Sequence, residues 1–327
     1  MDYKSFLAAE LSAWDMAAEN FSRIARSRDE GRLSVLTADD ISAADGWRMA
    51  KLHVDHRRAS ITAKTDSASI AARPCFLCRS NRPATQSSLE CLDGRFEVLI
   101  NPYPLASVHF TIASTRHEPQ FLSGDGVVSA MVSLARDMEG LCVFYNGARC
   151  GASAPDHLHF QAVATETVPN ILNPTAVGLS IFEADGVRLS RSRKGFAPYQ
   201  FFVIESTSDV ALSSVVSRLF AAMASSEAES GSEPPVNVAM IKLPGRDVVR
   251  TWVIPRGKHR PDCYFFDDER KLLISPATVE MLGTIVCSRA EDYARVDLPT
   301  AENILAEVAV TDSRYEDIIG KFITFAQ

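Results

Sequence analysis

The sequence predicts an α+β fold: mostly antiparallel sheets flanked by helices, arranged as two similar halves behind an N-terminal helical extension. Three observations predict it. Phe96–Ile100 and Val108–Ile112 are short apolar runs joined by the turn-forming Asn101-Pro102-Tyr103-Pro104. Val127, Met131, Leu134, Ala135, Met138 and Leu141 form a helical stripe directly after them. The same ingredients then recur between residues 200 and 255 without a sharp sequence repeat.

In order along the chain, Leu11, Trp14, Ala17, Phe21 and Ile24 fall at helical spacing within residues 8–27. Thr37-Ala38-Asp39-Asp40 ahead of Ile41 reads as a second helix start. The segment from Lys51 to Ser69 is basic and polar with no period, and is expected to wrap over a body formed later. After the hairpin and helix come a strand at Cys142–Tyr145, a Gly/Ala/Ser turn, and a strand at His157–Thr165. The second half reads as strand Gln200–Ile204, helix Val210–Ala224, and strands Val236–Leu243 and Val249–Pro255. Residues 225–235 are polar and low in complexity, as a loop or linker would be. Helices near Ala277–Cys287, Thr300–Val310 and Tyr315–Phe325 close the chain. The expected division is 1–70 for the extension, 71–190 for a catalytic half, and 191–327 for a substrate-binding half with C-terminal helices.

At 327 residues, 46% hydrophobic and 23% charged, the chain has the composition of a globular protein with a large core. A formal net charge of −7 argues against nucleic-acid binding, which relies on a basic field. No apolar run approaches the ~20 residues that span a bilayer, so no membrane association is expected. Met1-Asp2-Tyr3-Lys4-Ser5-Phe6 lacks the pattern of a secretory signal, and seven cysteines is an odd number for a disulfide framework. These features together set a cytoplasmic enzyme as the expectation.

The chemistry concentrates in Gly151-Ala152-Ser153-Ala154-Pro155-Asp156-His157-Leu158-His159-Phe160-Gln161. On a strand, His157, His159 and Gln161 share one face while Leu158 and Phe160 take the other. Gly151, Ala152 and Ser153 are small enough for backbone N–H groups to approach a phosphate. Neutral imidazole forms a labile phosphoramidate, so His159 suits a nucleophile on phosphorus, and the Gln161 amide can donate to an oxygen where charge accumulates. A metal-binding His-x-His, or two histidines satisfied at the surface, is the competing reading. Separately, Cys75 and Cys78 form a Cys-x-x-Cys pair able to grip one tetrahedral ion. With His117 and His157 they make a Cys2His2 set suited to structural zinc, with His109 competing as fourth ligand; a redox pair or two unrelated cysteines are the alternatives. Arg73, Arg79 and Arg82 flank the cysteines, and Arg246, Arg250, Arg256, Lys258, His259 and Arg260 cluster later. Of these, Arg256, Lys258 and Arg260 are the expected phosphate-binding group, with Lys64 and Asn146 as further substrate contacts.

In this order, the Cys pair, the His-bearing strand end, Asn146-Gly147, the small-residue turn and His-x-His-x-Gln resemble the transferase branch of the histidine-triad (HIT) superfamily. That branch includes galactose-1-phosphate uridylyltransferase, diadenosine tetraphosphate phosphorylase and the GDP-hexose phosphorylases, and a bacterial family carries the same signatures. Pro235–Met240 and Trp252–Arg256 resemble strands of the phosphorylases, and Asp156 and Leu158 replace prolines of the uridylyltransferases. The resemblance implies two HIT-like halves and a nucleotidyltransferase of phosphorylase type. Such an enzyme takes a nucleoside monophosphate from a nucleotide sugar or dinucleoside polyphosphate onto His159 and passes it to phosphate or a sugar phosphate. It further implies metal binding by His157, steadying of the phosphoryl group by Gln161, a base or ribose contact at Asn101, and homodimer formation. A HIT-type nucleotide hydrolase and a catalytically silent nucleotide-binding protein are the alternatives.

Overall fold

The computed structural model describes residues 2–27, 29–36, 46–57, 61–62, 66–124, 126–224 and 233–325. Among the described residues there are thirteen strands: β1 (Leu33–Leu36), β2 (Met49–His53), β3 (Leu89–Cys91), β4 (Phe96–Ile100), β5 (His109–Ser114), β6 (Leu141–Asn146), β7 (His159–Ala164), β8 (Val177–Ala184), β9 (Val187–Ser192), β10 (Phe202–Ser206), β11 (Val236–Lys242), β12 (Val249–Pro255) and β13 (Thr284–Cys287). Ten of them form one antiparallel sheet in the order β3-β4-β5-β7-β6-β11-β12-β10-β9-β8, and β1-β2-β13 form a small second sheet.

The large sheet contains its own repeat. Strands β3 to β7 run 3-4-5-7-6 from one edge, and β8 to β12 run 8-9-10-12-11 from the other. Helix Val127–Asp137 sits between the third and fourth strands of the first set, and helix Asp209–Met223 takes the same place in the second. The two sets meet where β6 pairs with β11, placing Asn146 opposite Asn237. The fold is therefore the expected α+β arrangement of two similar halves, fused edge to edge through one continuous sheet.

Side-chain alternation assigns the two faces. Val98, Phe110, Ile112, Phe160, Ala162, Val143, Val238 and Val253 join the helices Val127–Asp137, Asp209–Met223 and Asp312–Thr324 in one core. The opposite face carries, in register across neighbouring strands, Leu99, Thr111, Gln161, Phe144, Ala239 and Trp252. Its second-half portion is covered by β13, helix Leu298–Val308 and the preceding loops. Around Gln161 this face stays open enough to form a cavity.

Several elements differ from expectation, each for a local reason. The single N-terminal helix is two, Tyr3–Ala13 and Asp15–Arg26, because Trp14 leaves the helical region (φ −134°) to bury its ring. The final sheet strand of the first half begins at His159 rather than His157: the His157 N–H closes a turn onto Ala154, and the Leu158 N–H is donated to Glu118 O. The expected helix over 277–287 is one helical turn, Thr278–Met281, ended at Gly283, after which Thr284–Cys287 pairs parallel with β2. Strands β8 and β9, in a stretch of mixed polarity, had no expected counterpart. The N-terminal extension is not purely helical, since β1 and β2 belong to it. The helix start at Thr37–Ile41 and residue Lys64 lie outside the described residues, as do 225–232 of the polar segment. Glu233, at that segment's end, is buried and accepts the Tyr145 hydroxyl and the Leu122 and Ser123 N–H groups.

Candidate active site and metal centre

The cavity on the open sheet face has a volume of about 640 Å3, and His159 and Gln161 lie in its wall beside Asn101, Asn146 and the Gly151-Ala152-Ser153 turn. Thus all seven of these expected site residues converge on one space. His159 is 3% exposed, and burial holds its imidazole down at about 4, so it is neutral near pH 7. Its Nδ1 lies 2.8 Å from the His157 carbonyl oxygen, which can only accept. The proton is therefore on Nδ1, and the Nε2 lone pair is the free nitrogen of the ring.

What holds His159 there is Gln120, which no motif or spacing marks. Strands β6 and β7 stay paired only as far as Phe144 opposite Gln161. Beyond that point they part, and the fully buried Gln120 side chain fills the wedge. Its Nε2 donates to Asn146 O and His159 O, both at 3.0 Å, and its Oε1 accepts the His159 N–H at 2.8 Å. A side-chain amide thereby replaces the missing rungs of the ladder.

Gln161 is oriented by the strand beside it. The Leu105 N–H donates to His109 Nδ1 at 3.1 Å, which leaves the ring proton on Nε2, and that N–H meets Gln161 Oε1 at 2.9 Å. Burial pushes His109 down to about 3, so it stays neutral. With Oε1 engaged, the Gln161 NH2 group is the end left for the cavity. His109 is accordingly a packed residue that sets Gln161, outside the cysteine cluster. Asn101 closes its own turn by accepting the Tyr103 N–H, and its NH2 donates to Thr111 Oγ1. Asn146 Oδ1 accepts from Asn237 and from the N–H and hydroxyl of Thr278, tying the first half to the second.

The turn preceding His157 requires its glycine. Gly151 has φ +100°, and a Cβ there would stand 2.5 Å from Ala277 Cβ. Arg73 fastens the far side of the turn, donating to Ser153 O and Asp156 Oδ1 at 3.3 Å.

Cys75, Cys78, His117 and His157 come together with their ligand atoms within 4.8 Å of one another. Cys75 Sγ and Cys78 Sγ lie 3.3 and 3.6 Å from His157 Nδ1, and Cys78 Sγ is 3.3 Å from His117 Nδ1. These are separations expected around an ion with bonds of about 2.0–2.3 Å in a tetrahedron. The His157 ring is preset for it: Nε2 donates to Ser114 O at 2.8 Å, leaving the Nδ1 lone pair toward the sulfurs. Burial and the neighbouring Cys75 thiol push the Cys78 thiol up, the opposite of what a redox-active pair needs. Two soft sulfurs and two imidazoles fit zinc. All seven cysteines are free of disulfides.

The cationic group divides. Arg256 is buried and directs its donors into the protein, to Val308 O, Asn237 Oδ1, Pro276 O and the Lys258 and His259 carbonyls. It braces the loop instead of facing the cavity. Lys258 points away as well, paired with Asp262 and Glu307. Arg250 is bound by Glu205, and Arg82 by Glu97. Arg260 does reach the cavity, stacked 4.3 Å over Tyr264 and bonded to Ser275 Oγ, next to His259. Two further wall cations, Arg57 and Arg73, each keep a buried nitrogen (Nε and Nη1) without a partner among the described residues. Arg57 sits in the aperiodic basic segment, where no spacing could mark it. Glu280 completes this end; burial raises its carboxyl, whose Oε2 accepts the Ala277 N–H.

Comparison with known proteins agrees with this architecture. A family model described as a domain of unknown function, DUF4922, matches residues 6–164. Yeast Ap4A phosphorylase Apa2 superposes over 90% of this chain and 97% of its own, with a TM-score of 0.54 and 15% identity. The same enzyme in complex with Ap4A covers 89% and 96% at a TM-score of 0.53 and 14% identity, and in complex with AMP 90% and 96% at 0.51 and 16%. The chain has the HIT-like fold of that phosphorylase. No curated protein matches it. Among the described residues no helix is long and apolar enough to cross a membrane.

Proposed function

We propose that the protein is a nucleotidyltransferase of phosphorylase type, moving a nucleoside monophosphate through a covalent nucleotidyl-histidine. The donor is a nucleotide sugar or dinucleoside polyphosphate; the acceptor is phosphate or a sugar phosphate. One observation carries the reading: His159, neutral and with its proton fixed on Nδ1 by the His157 carbonyl, has its Nε2 lone pair free at a cavity walled by the Gly151–Ser153 turn and Gln161.

In the first step Nε2 attacks the α-phosphorus; the N–P bond forms and the P–O bond to the leaving phosphate breaks, its electron pair leaving on oxygen. In the second step a phosphate oxygen of the acceptor forms the new P–O bond, and the N–P pair returns to Nε2. Throughout, Nδ1–H stays on the His157 carbonyl, which supports the positive charge on the substituted ring. Gln161 has no titratable proton. It can hold a non-bridging oxygen but cannot protonate a leaving group or activate water. Exchange between phosphate oxygens needs neither, whereas hydrolysis needs the second. Arg57 and Arg73, with their unpartnered buried nitrogens, supply donors for the phosphate bridge. Zinc in the Cys75–Cys78–His117–His157 cluster, with four protein ligands and no open position, would serve to hold the strand entry that carries His159.

The test is covalent trapping with α-labelled nucleotide donors, with product analysis in the presence and absence of phosphate. The wild type is expected to label and to give a nucleoside diphosphate only with phosphate present. His159→Asn is expected to fold normally and stay unlabelled. Turnover retained in His159→Asn, or nucleoside monophosphate as the sole product, would overturn the reading.

A further inference from the structure

We propose that the donor is a nucleoside diphosphate sugar rather than a dinucleoside tetraphosphate, with Glu280 receiving a hydroxyl of the sugar. This rests on the nucleotidyl-transfer reading above and narrows it. Glu280 belongs to the helical turn Thr278–Met281 and lines the cavity. That turn is docked beside the one formed by Gly151, Ala152 and Ser153. A Cβ at Gly151 would lie 2.5 Å from the Cβ of Ala277, and Thr278 bonds Asn146 Oδ1 through both its N–H and its hydroxyl. Glu280 therefore borders the space next to the turn where the phosphates are expected.

Glu280 is 7% exposed. Its Oε2 accepts the Ala277 N–H at 2.9 Å, and its own backbone N–H is the other donor near it; no further residue among those described bonds the carboxyl. Burial raises the carboxyl, and the Arg57 and Arg256 guanidiniums act against that rise. A sugar hydroxyl both donates and accepts, so it pairs with either protonation state. A phosphate oxygen only accepts, so the carboxylate repels it. Charge points the same way. The wall carries three guanidiniums, Arg57, Arg73 and Arg260, against the one carboxyl of Glu280, so two positive charges remain in excess among the described residues. His259, held down to about 4 by burial and by Arg260, is neutral and adds none. Each bridging phosphate brings one negative charge. A diphosphate matches the excess, and a tetraphosphate outruns it even with Glu280 protonated. Donors are also few. Arg57 Nε and Arg73 Nη1 lack partners among the described residues, whereas Arg260 already meets Ser275 Oγ and Ile61 O.

The experiment measures phosphorolysis of adenosine, guanosine and uridine diphosphate hexoses (glucose, galactose and mannose) against the dinucleoside tetraphosphates of the same bases. A hexose donor gives the hexose 1-phosphate when the histidine adduct forms and the nucleoside diphosphate when phosphate takes the nucleotidyl group. In the wild type the best hexose donor is expected to exceed every tetraphosphate in kcat/KM by about tenfold or more. In Glu280→Gln the amide oxygen can still accept the Ala277 N–H, and an NH2 group, which suits a phosphate oxygen, takes the other position. That ratio is expected to fall about tenfold, through a raised KM for the hexose donor and no loss on the tetraphosphate. A variant that melts as the wild type does but loses both substrates equally, or keeps the ratio, overturns the role of Glu280. The wild-type comparison stands without the variant: a tetraphosphate turned over as fast as the best hexose donor, or faster, overturns the proposal while leaving the transferase reading intact. If neither class is turned over, the transfer reading itself falls.

Discussion

Replacing Gln120 by Leu should be among the most damaging single changes in the protein, although Gln120 touches no proposed substrate. The side chain is fully buried and serves three backbone groups: the carbonyls of Asn146 and His159 and the N–H of His159. Leu occupies nearly the same volume, so the cavity contribution is small and the effect isolates the polar one. A buried backbone group left without a partner costs about 1–3 kcal/mol, so three cost roughly 3–6 kcal/mol after partial relaxation. Against a total stability of about 5–15 kcal/mol that is a large fraction. The wedge cannot simply close, because the His157–Leu158 turn directs β7 away: the Leu158 N–H is held by Glu118 and the His157 ring by Ser114. Urea unfolding followed by tryptophan fluorescence measures the loss, and a folded remnant should form the histidine adduct slowly while binding nucleotide nearly as well. A loss below 1 kcal/mol with an unchanged rate of adduct formation would refute the idea that Gln120 carries the split between the strands.

The metal cluster predicts that the purified protein binds one zinc ion per chain, and that Cys78→Ser loses it and melts roughly 5–10 °C lower, as expected for about 2–4 kcal/mol; full thermal stability after chelation and in Cys78→Ser would exclude a structural ion. Acid stability carries a further signature of His109. Its pKa falls from 6.5 to about 3 on folding, so the unfolded chain binds the proton first. Its contribution is complete above pH 6.5 and is lost as pH falls through the window down to 3, by about 2 kcal/mol at pH 5. His109→Gln should therefore lose about that much less stability than the wild type between pH 7.5 and pH 5 in urea titrations; identical losses would show that His109 is not the group responsible.

How much of this was legible in the sequence follows from which interactions are local. The alternation in His159-Phe160-Gln161 and the stripe from Val127 are set by neighbours in the chain, and both appear as read. The Cys-x-x-Cys pair and His157 were also readable, because tetrahedral ligation demands particular residue types at particular spacings. Basic residues were not: Arg256 and Arg260 are four apart with similar surroundings in sequence, yet one is a brace and the other lines the cavity. Arg256 turns its donors onto the Pro276 and Val308 carbonyls inside the protein, whereas Arg260 meets Ile61 O and Ser275 Oγ at the cavity wall, and no spacing in the sequence announces either set of distant partners.

The same logic explains why Gln120 and Gln86 escaped notice while Gln161, marked by the paired histidines beside it, did not. An amide carries one donor end and one acceptor end, and its role depends on which end the protein has already used. In Gln120 both ends are engaged by backbone, and the residue positions His159. In Gln161 the acceptor is taken by His109, which leaves the NH2 group as the end for the cavity. In Gln86 one N–H is taken by Ile100 O, which leaves the second N–H and Oε1. Three identical side chains, Gln86 and Gln161 in the cavity wall and Gln120 buried behind His159, thus differ in what they have left to offer, and the partner that decides each is 14 residues or more away along the chain. A pattern search over one sequence sees the residue type and misses the partner. The division of labour exists only once the strands are paired.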